Sequence, residues 1–230
     1  MNSAAQSSDA SRWNSRRKRE HMAREPKIYQ ALFDYDSAIR EEYKVFCGVD
    51  EAGRGPLAGD VYAAAVILPP ELVIPGLNDS KKLSEARREA LAPVIREKAS
   101  AWAIGIATVE EIERLNILQA ALLAMSRAVE QLAVTPSFAL VDGNQPPSLM
   151  IETGTLAHGD AVSASIAAAS VLAKTARDAS LRELDQKYPQ YGFAAHKGYG
   201  TKAHYAAIAK YGMCPAHRPS FLRKFYEQQQ

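Results

Sequence analysis

Cysteine and long apolar runs are scarce in this sequence of 230 residues. Its two cysteines, Cys47 and Cys214, stand in unrelated contexts, and no Cys/His spacing typical of a zinc site occurs. No apolar run approaches the roughly 18 residues that a membrane span needs. The N-terminus is polar and basic with no hydrophobic stretch behind it, which argues against a secretory signal. We therefore expect a cytoplasmic protein that uses neither zinc nor a membrane.

The apolar fraction, in contrast, is large enough for one substantial core, since 47% of the residues are hydrophobic. We predict a single domain over residues 27–230, which acts as a monomer. Residues 1–26 are rich in Ser, Ala, Arg and Asn and lack apolar periodicity, so we predict a mobile basic tail. Within it, residues 16–19 are all basic, which leaves a nucleic-acid contact or a localisation signal open beside a simple solvated tail.

Charge is unevenly distributed along the chain. Residues 1–26 carry six basic and three acidic side chains, and residues 174–230 carry ten basic and four acidic ones, which gives net charges of +3 and +6. Since the net charge of the whole chain is +2, residues 27–173 carry −7. Such a division suits an enzyme that binds cations and a polyanion together, although uneven surface charge alone accounts for it equally well.

Hydrophobic periodicity predicts alternating strands and helices. The predicted strands cover residues 44–50, 59–68, 100–107, 138–141 and 149–153. The predicted helices cover residues 27–42, 84–98, 109–132 and 161–187, with a short one after Thr201. This order predicts an α/β fold with a mixed five-stranded sheet flanked by helices, with its chemistry at strand ends.

The most informative segment runs from Gly48 to Pro56. Asp50 and Glu51 close an apolar run and lead into the turn Gly53-Arg54-Gly55. The two acids suit hard cations, the glycines let a sugar–phosphate chain approach, and the arginine offers a fork of donors to phosphate. Because neighbouring strand residues point to opposite faces, the two acids converge only if the strand ends there.

Two further acids stand in suggestive positions. Asp142 follows an apolar strand and precedes a glycine, which suits either an acid at the sheet rim or an ordinary Asp-Gly turn. Asp160 precedes a helix of small residues, where a helix N-cap is the local expectation. The small residues would, however, let that helix lie close to the sheet and bring Asp160 to the other acids. Four clustered carboxylates require cations, and oxygen ligands favour two Mg²⁺ or Mn²⁺ ions.

Basic and aromatic residues near these acids are candidates for substrate contacts. Lys81 and Lys82 lie in a loop and suit either phosphate or solvent. Lys174 shares one helix face with Arg177 and Asp178, and it suits either a contact with a nucleic-acid backbone or an ion pair with an acid. Tyr199 is flanked by glycines in a basic loop, where it can stack on a nucleotide or serve as a packing anchor.

Taken together, these motifs resemble those of ribonuclease HII, in the type 2 ribonuclease H family. The resemblance covers roughly residues 44–205 and rests on motifs in the family's order. They are Gly48-Val49-Asp50-Glu51-Ala52-Gly53-Arg54-Gly55-Pro56, Asp79-Ser80-Lys81-Lys82-Leu83, Val141-Asp142-Gly143, Gly159-Asp160, Ala168-Ala169-Ser170-Val171-Leu172-Ala173-Lys174, Arg177-Asp178, Gly192-Phe193 and His196-Lys197-Gly198-Tyr199-Gly200-Thr201.

The resemblance implies a ribonuclease H-like fold with a small helical C-terminal part. It implies hydrolysis of RNA in RNA–DNA hybrids and incision 5′ to single ribonucleotides in duplex DNA, leaving 3′-hydroxyl and 5′-phosphate ends. The implied metal ligands and catalytic residues are Asp50, Glu51, Asp142 and Asp160. The Gly53-Arg54-Gly55 turn is implied to read the ribose 2′-hydroxyl, and Tyr199 to stack on the neighbouring sugar.

Two alternatives remain open from the sequence. Another two-metal nuclease of the same fold would cut all-DNA substrates and would not need a 2′-hydroxyl reader. A nucleic-acid-binding module would use the same acids as caps and turns, and would bind without metal-dependent turnover.

Overall fold

A computed structural model describes residues 30–227 of the chain. The predicted basic tail of residues 1–26 lies outside these residues, as does the start of the predicted helix over 27–42. The described part of that helix, α1, covers residues 30–42. The strands are β1 (Phe46–Ala52), β2 (Val61–Ile67), β3 (Ala101–Ala107), β4 (Phe138–Asp142) and β5 (Glu152–Leu156). The remaining helices are α2 (Glu85–Lys98), α3 (Val109–Leu115), α4 (Ile117–Glu130), α5 (Ala164–Lys187), α6 (Phe193–His196), α7 (Lys202–Tyr211) and α8 (Pro219–Glu227).

The five strands form one mixed sheet in the order β3-β2-β1-β4-β5, which confirms the predicted architecture. β2 pairs antiparallel to both β1 and β3, whereas β4 pairs parallel to both β1 and β5. The central strand β1 therefore has a parallel and an antiparallel neighbour. The C-terminal ends of β1 and β4 meet at the same sheet edge, because those two strands run in the same direction.

Helices cover both faces of the sheet. α1, α2 and α5 bury apolar side chains against one face, and α4 buries a second cluster against the other. A third cluster joins α7 and α8 to the C-terminal half of α5, and forms the predicted small helical C-terminal part. No helix in residues 30–227 combines the length and the apolar character needed to cross a bilayer.

The contact between β1 and α5 is unusually close. The first ten residues of α5, 164–173, are all buried, and five of them are alanines. A Cβ atom on Gly48 of β1 would lie 2.2 Å from the backbone carbon of Ser165 and 2.3 Å from the nitrogen of Ile166. The small side chains thus let the helix lie directly on the strand, as the sequence suggested for this segment.

The predicted helix over 109–132 is wrong in one respect, since it is two helices that meet at Asn116. That residue has a φ angle of 72°, which a continuous α-helix does not allow. Its side-chain oxygen accepts hydrogen bonds from the backbone N–H groups of Leu118 (3.0 Å) and Gln119 (3.2 Å). Asn116 is therefore the N-cap of α4, and apolar spacing alone cannot reveal such a cap.

Other element boundaries differ from the predictions by one to three residues, and three of these differences concern the elements around the acids. β1 continues through Asp50 and Glu51 to Ala52, because both acids pair with residues of β2. β5 covers 152–156 rather than 149–153, and its polar edge gave little periodicity to place it. A 3₁₀ turn, Gly159–Ala161, precedes α5, which begins at Ala164 rather than at 161.

Candidate metal centre and nucleic-acid interface

Three of the four predicted acids meet at the sheet edge. The β1–β4 register pairs Val49 with Val141, so the next residues, Asp50 and Asp142, lie side by side. Asp160 reaches them from the 3₁₀ turn before α5. One carboxylate oxygen from each of these three acids lies within 4.8 Å of the other two. Asp50 and Asp160 are buried, with exposed fractions of 5% and 2%, whereas Asp142 is partly exposed.

Glu51 lies beside this cluster rather than within it. It follows Asp50 in a regular strand, so its side chain starts from the opposite face of the sheet. Its carboxylate contacts the Arg54 guanidinium, with 3.4 Å between Oε1 and Nη1. Burial raises the pKa of Glu51, Arg54 opposes this, and the charge of Asp142 adds to it. The charge of the cluster therefore affects the pKa of Glu51, although its carboxylate lies outside the cluster.

Hydrogen bonds hold the three acids in place, and two of these bonds are short. The backbone N–H of Gly159 donates to Oδ1 of Asp142 at 2.6 Å, and that of Glu51 donates to Oδ1 of Asp50 at 2.7 Å. The Lys81 ammonium donates to Oδ2 of Asp160 at 3.2 Å. Each bond occupies one oxygen of its carboxylate.

The local expectation for Asp160, a helix N-cap, is not met. The N-cap of α5 is Ser163, whose hydroxyl accepts a hydrogen bond from the N–H of Ile166 at 3.3 Å. The carboxylate of Asp160 instead faces Lys81 and the other acids. The start of the helix and the acid thus have separate tasks.

The electrostatics of the cluster favour a cation. Burial raises the pKa of Asp50 well above its usual value, and the charges of Glu51 and Asp142 raise it further. Burial also raises the pKa of Asp160, as does a hydrogen bond with Asp79, while Lys81 opposes the shift. Mutually repelling carboxylates in a buried site form an all-oxygen donor set, which fits hard divalent ions such as Mg²⁺ or Mn²⁺.

The loop that follows β1, residues 53–59, is called the glycine loop below. Gly53 has a φ angle of +107°, and a Cβ atom there would lie 2.3 Å from Nε of Arg177. Only glycine fits this position. The Arg54 side chain is half exposed, and Gly55 leaves space that the ring of Tyr199 borders, with 3.6 Å between Cε1 and a Cβ built on Gly55.

Tyr199 belongs to a second loop, residues 196–201, called the tyrosine loop below. Its side chain is 47% exposed beside the glycine loop. The two loops are joined by a backbone hydrogen bond of 2.8 Å from the N–H of Leu57 to the carbonyl of Gly198. The structure thus brings the predicted stacking residue next to the predicted reader of the 2′-hydroxyl.

The three predicted lysines differ in how free they are. Lys81 and Lys82 are largely exposed, although Lys81 contacts Asp160 and Lys82 lies 3.7 Å from Asp79. Lys174 is mostly buried and donates to Asp178 at 2.6 Å. Of the two readings for Lys174, the structure shows the contact with an acid.

Sequence reasoning missed several buried polar residues behind the site. Asp36 of α1 is fully buried and accepts hydrogen bonds from both hydroxyls of Ser163 and Ser165, each at 2.6 Å. Burial raises the pKa of Asp36, and these hydrogen bonds oppose the shift. Arg218 and the pair His204 and His217 are also buried. The partners of Asp36 and Arg218 are more than a hundred positions away in sequence, so no local pattern distinguishes these two from surface polar residues.

Comparison with known proteins identifies the family. The family model of Ribonuclease HII matches residues 47–227. The ribonuclease HII of Laribacter hongkongensis is 64% identical over 177 residues, which cover 76% of this chain and 89% of that protein. The ribonuclease HII of Vibrio campbellii is 52% identical over 205 residues, which cover 87% of this chain and 95% of that protein.

Solved structures agree with the fold. The ribonuclease H2 of Pyrococcus horikoshii OT3 superposes with a TM-score of 0.67 at 24% identity, covering 80% of this chain and 98% of that chain. A Bst-RNase HIII structure in complex with Mn²⁺ superposes with a TM-score of 0.58 at 19% identity, covering 73% of this chain and 63% of that chain. These structures confirm the ribonuclease H-like fold. With the family model matching most of the sequence and relatives more than half identical, the chain belongs to the ribonuclease HII family and is an endoribonuclease that acts on RNA–DNA hybrids.

Proposed function

We propose that this endoribonuclease also incises duplex DNA on the 5′ side of single embedded ribonucleotides, leaving 3′-hydroxyl and 5′-phosphate ends, and so serves to remove ribonucleotides from DNA. The observation that carries the proposal is the position of the acid cluster. Asp50 lies only three residues before Gly53, where the glycine loop begins, and Tyr199 borders that loop. Phosphodiester hydrolysis and recognition of one sugar would therefore take place side by side.

The carboxylates of Asp50, Asp142 and Asp160, together with Glu51, would hold two divalent cations, either Mg²⁺ or Mn²⁺. The all-oxygen donor set and the raised pKa of Asp50 support this assignment. So does the Mn²⁺ bound by Bst-RNase HIII, a protein of the same fold. When bound, such ions activate the attacking water and stabilise the departing 3′-oxygen.

The surrounding residues would position the substrate. The backbone of Gly53, Arg54 and Gly55 would contact the ribose 2′-hydroxyl, and Tyr199 would stack on the adjoining sugar. Lys81, Lys82 and Lys174 would contact phosphates, which requires Lys174 to exchange its bond with Asp178 for one with the nucleic acid. Because the 2′-hydroxyl is a recognition group here and not the nucleophile, no cyclic phosphate is formed.

Cleavage of a labelled DNA duplex that carries one ribonucleotide tests the proposal. An all-DNA duplex of the same sequence is the control, and each is incubated with Mg²⁺, with Mn²⁺ and with a chelator. We expect metal-dependent incision 5′ to the ribonucleotide and an intact control. Cutting of both duplexes would favour another two-metal nuclease activity, and a 2′,3′-cyclic phosphate end would contradict the mechanism.

We also propose that residues 27–230 form one catalytic domain, with residues 1–26 outside it, and that the protein is a cytoplasmic monomer. The family match over residues 47–227 supports a single catalytic unit. Light scattering coupled to size-exclusion chromatography measures the mass directly. A mass of twice 25.1 kDa would exclude the monomer.

A further inference from the structure

A single buried arginine holds the glycine loop from behind. The Arg218 side chain is fully buried, and every nitrogen of its guanidinium group donates to the loop backbone. The acceptors are the carbonyls of Gly59 (2.9 Å from Nε and 2.6 Å from Nη2), Gly53 (2.7 Å from Nη2), Pro56 (2.8 Å from Nη1) and Arg54 (3.2 Å from Nη1). Four carbonyls of one short loop thus converge on one side chain.

This arrangement fixes which way the peptide groups of the loop face. In a trans peptide, the carbonyl of one residue and the N–H of the next point in opposite directions. Because the carbonyls of Gly53 and Arg54 point at Arg218, the N–H groups of Arg54 and Gly55 point away from it. Within residues 30–227 neither N–H group donates a hydrogen bond. They are left as two free donors at the position proposed to meet the ribose.

The charge of Arg218 is not neutralised by an ion pair. No carboxylate within the described residues forms a salt bridge with it. Burial lowers the pKa of the guanidinium to about 9, with the nearby charge of Arg177 adding to the shift. A buried charge is unfavourable unless its hydrogen bonds are satisfied, and here the loop carbonyls satisfy them. The arginine and the loop conformation therefore depend on each other.

The residue before Arg218, His217, is connected to the tyrosine loop by hydrogen bonds through His204. His217 and His204 are both buried, and their Nε2 atoms lie 3.1 Å apart. Nδ1 of His204 lies 2.9 Å from the carbonyl of Tyr199, which can only accept. Nδ1 of His204 must then carry the proton, so its Nε2 accepts from Nε2 of His217. Nδ1 of His217 is left to accept from the N–H of Cys214 at 2.9 Å.

Neutral tautomers thus give one directed chain of hydrogen bonds from Cys214 through His217 and His204 to Tyr199. Two neighbouring residues, His217 and Arg218, hold the two loops that form the proposed recognition surface. The loops also contact each other directly, as the bond from Leu57 to Gly198 shows. A shift in either anchor would change the spacing between the free amides and the tyrosine ring.

We infer that His217 and Arg218 are positioning residues that set the orientation of the glycine-loop amides and the placement of Tyr199, and thereby the preference for a ribonucleotide over a deoxyribonucleotide. The inference rests on the proposed recognition of single ribonucleotides. It assigns a function in specificity to two residues that, within the described part of the chain, form no hydrogen bond or salt bridge with the four acids.

The first test is Arg218→Lys, which keeps the positive charge. A lysine has three donors on one atom and cannot span four carbonyls. We measure binding of two duplexes, with and without one ribonucleotide, in the presence of chelator so that no cleavage occurs. The specificity ratio is the dissociation constant of the all-DNA duplex divided by that of the ribonucleotide-containing duplex. This ratio should fall by about tenfold in the variant, since misplaced donors no longer match the 2′-hydroxyl. Binding of the all-DNA duplex should stay within about twofold, because phosphate contacts do not depend on the loop amides.

A matched pair of His217 variants separates positioning from folding. Glutamine places its amide nitrogen where Nε2 was, and so can still donate to His204. Asparagine places its oxygen where Nδ1 was, and so keeps only the bond from Cys214. We expect His217→Asn to lower the ratio and His217→Gln to preserve it, although each loses one hydrogen bond.

Ile208→Val is the control for lost stability. Ile208 is buried in the same C-terminal cluster but contacts neither loop through a hydrogen bond. The ratio should equal that of the wild type. If Arg218→Lys and His217→Asn both kept the wild-type ratio, this inference would be overturned while the proposed recognition would stand. The same conclusion would follow if the two His217 variants lowered the ratio equally. A wild-type chain that binds both duplexes equally would overturn the proposed recognition, and the inference with it.

Discussion

Asp142 shows how one side chain acquires its role from its neighbours. It ends a strand of which the other four residues are buried, and a glycine follows it, so its local sequence is that of many turns. Its position beside Asp50 follows from the parallel register of β1 and β4. Its oxygen Oδ1 accepts a short bond from Gly159, which also fixes the turn that carries Asp160. One residue thus links all three acids.

Asp142→Asn should therefore abolish cleavage while duplex binding persists. The substitution removes a charge from the proposed ion site without altering the groove, and we expect kcat to fall by roughly 10³-fold or more, as loss of several kcal/mol of transition-state stabilisation implies. Cleavage of the ribonucleotide-containing duplex and its binding in chelator are the two measurements. Glu97→Gln, at an exposed position of α2, is the control. A variant that cuts at nearly the wild-type rate would contradict the metal assignment.

We expect His204 to make the stability of the protein depend on pH. Burial lowers its pKa to about 4, with His196 and His217 adding to the shift and the carbonyl of Tyr199 opposing it. In the unfolded chain a histidine binds its proton near pH 6.5. Between these values the unfolded state holds more protons, so the free energy of unfolding contributed by His204 falls as the pH drops from about 6.5 to about 4.

Urea denaturation at pH 7, 6 and 5 measures this dependence. His204→Asn removes the titrating ring, while its amide can still donate to the carbonyl of Tyr199. The variant should lose less stability between pH 7 and pH 5 than the wild type. Some dependence should remain, because burial also lowers the pKa of His217. Equal slopes in the two proteins would contradict the assignment.

α5 is the element on which the site depends most. Its first ten residues are buried on all sides, its start is anchored by Asp36, and the turn before it carries Asp160. Its sequence predicted the close approach to the sheet, because a run of alanines and serines has side chains small enough for the helix backbone to lie near a strand. What the sequence could not supply was the partner, Gly48, since the contact joins residues more than a hundred positions apart.

Gly48→Ala should be strongly destabilising for this reason. The added methyl group would lie 2.2 Å from the backbone of Ser165, so strand and helix would have to separate. We expect the free energy of unfolding to fall by about 3 kcal/mol or more. Gly55→Ala is the matched change for folding, because its methyl group would lie 3.6 Å from Tyr199 in ordinary contact. Urea denaturation should show a change of only about 1 kcal/mol or less there.

For the chain as a whole, the sequence was sufficient to predict the regular secondary structure and the sheet that it forms. The five strands follow from apolar runs, two of which lead into Asp50 and Asp142, and the small residues of α5 predicted that Asp160 would join these two acids. The break at Asn116 could not be predicted, because apolar spacing continues across it and only a φ angle of 72° reveals the cap. Glu51 lies outside the three-acid group because β1 continues through it as a regular strand. Arg218 was missed because its acceptors, the loop carbonyls, leave no trace in side-chain sequence.

A divalent ion should stabilise the whole fold if the buried acids bind it. Ion binding relieves carboxylate repulsion only in the folded state, where the three acids meet. At an Mn²⁺ concentration of a hundred times Kd, linkage contributes about 2.7 kcal/mol. For a chain of this length that corresponds to a rise in Tm of about 5–10 °C. Thermal unfolding with Mn²⁺ and with chelator measures the rise, and Asp142→Asn should show little of it. A rise of the same size in that variant would place the ion elsewhere.

The run of small residues at the start of α5 also has a consequence for variation. A single-nucleotide change in an alanine codon yields mostly valine, threonine, proline or a charged residue, each of which adds atoms to a segment that is already buried. Random mutagenesis followed by selection for activity should therefore find fewer tolerated changes over residues 164–173 than on the exposed face of α2. The segment with the simplest side chains would be among the least able to drift.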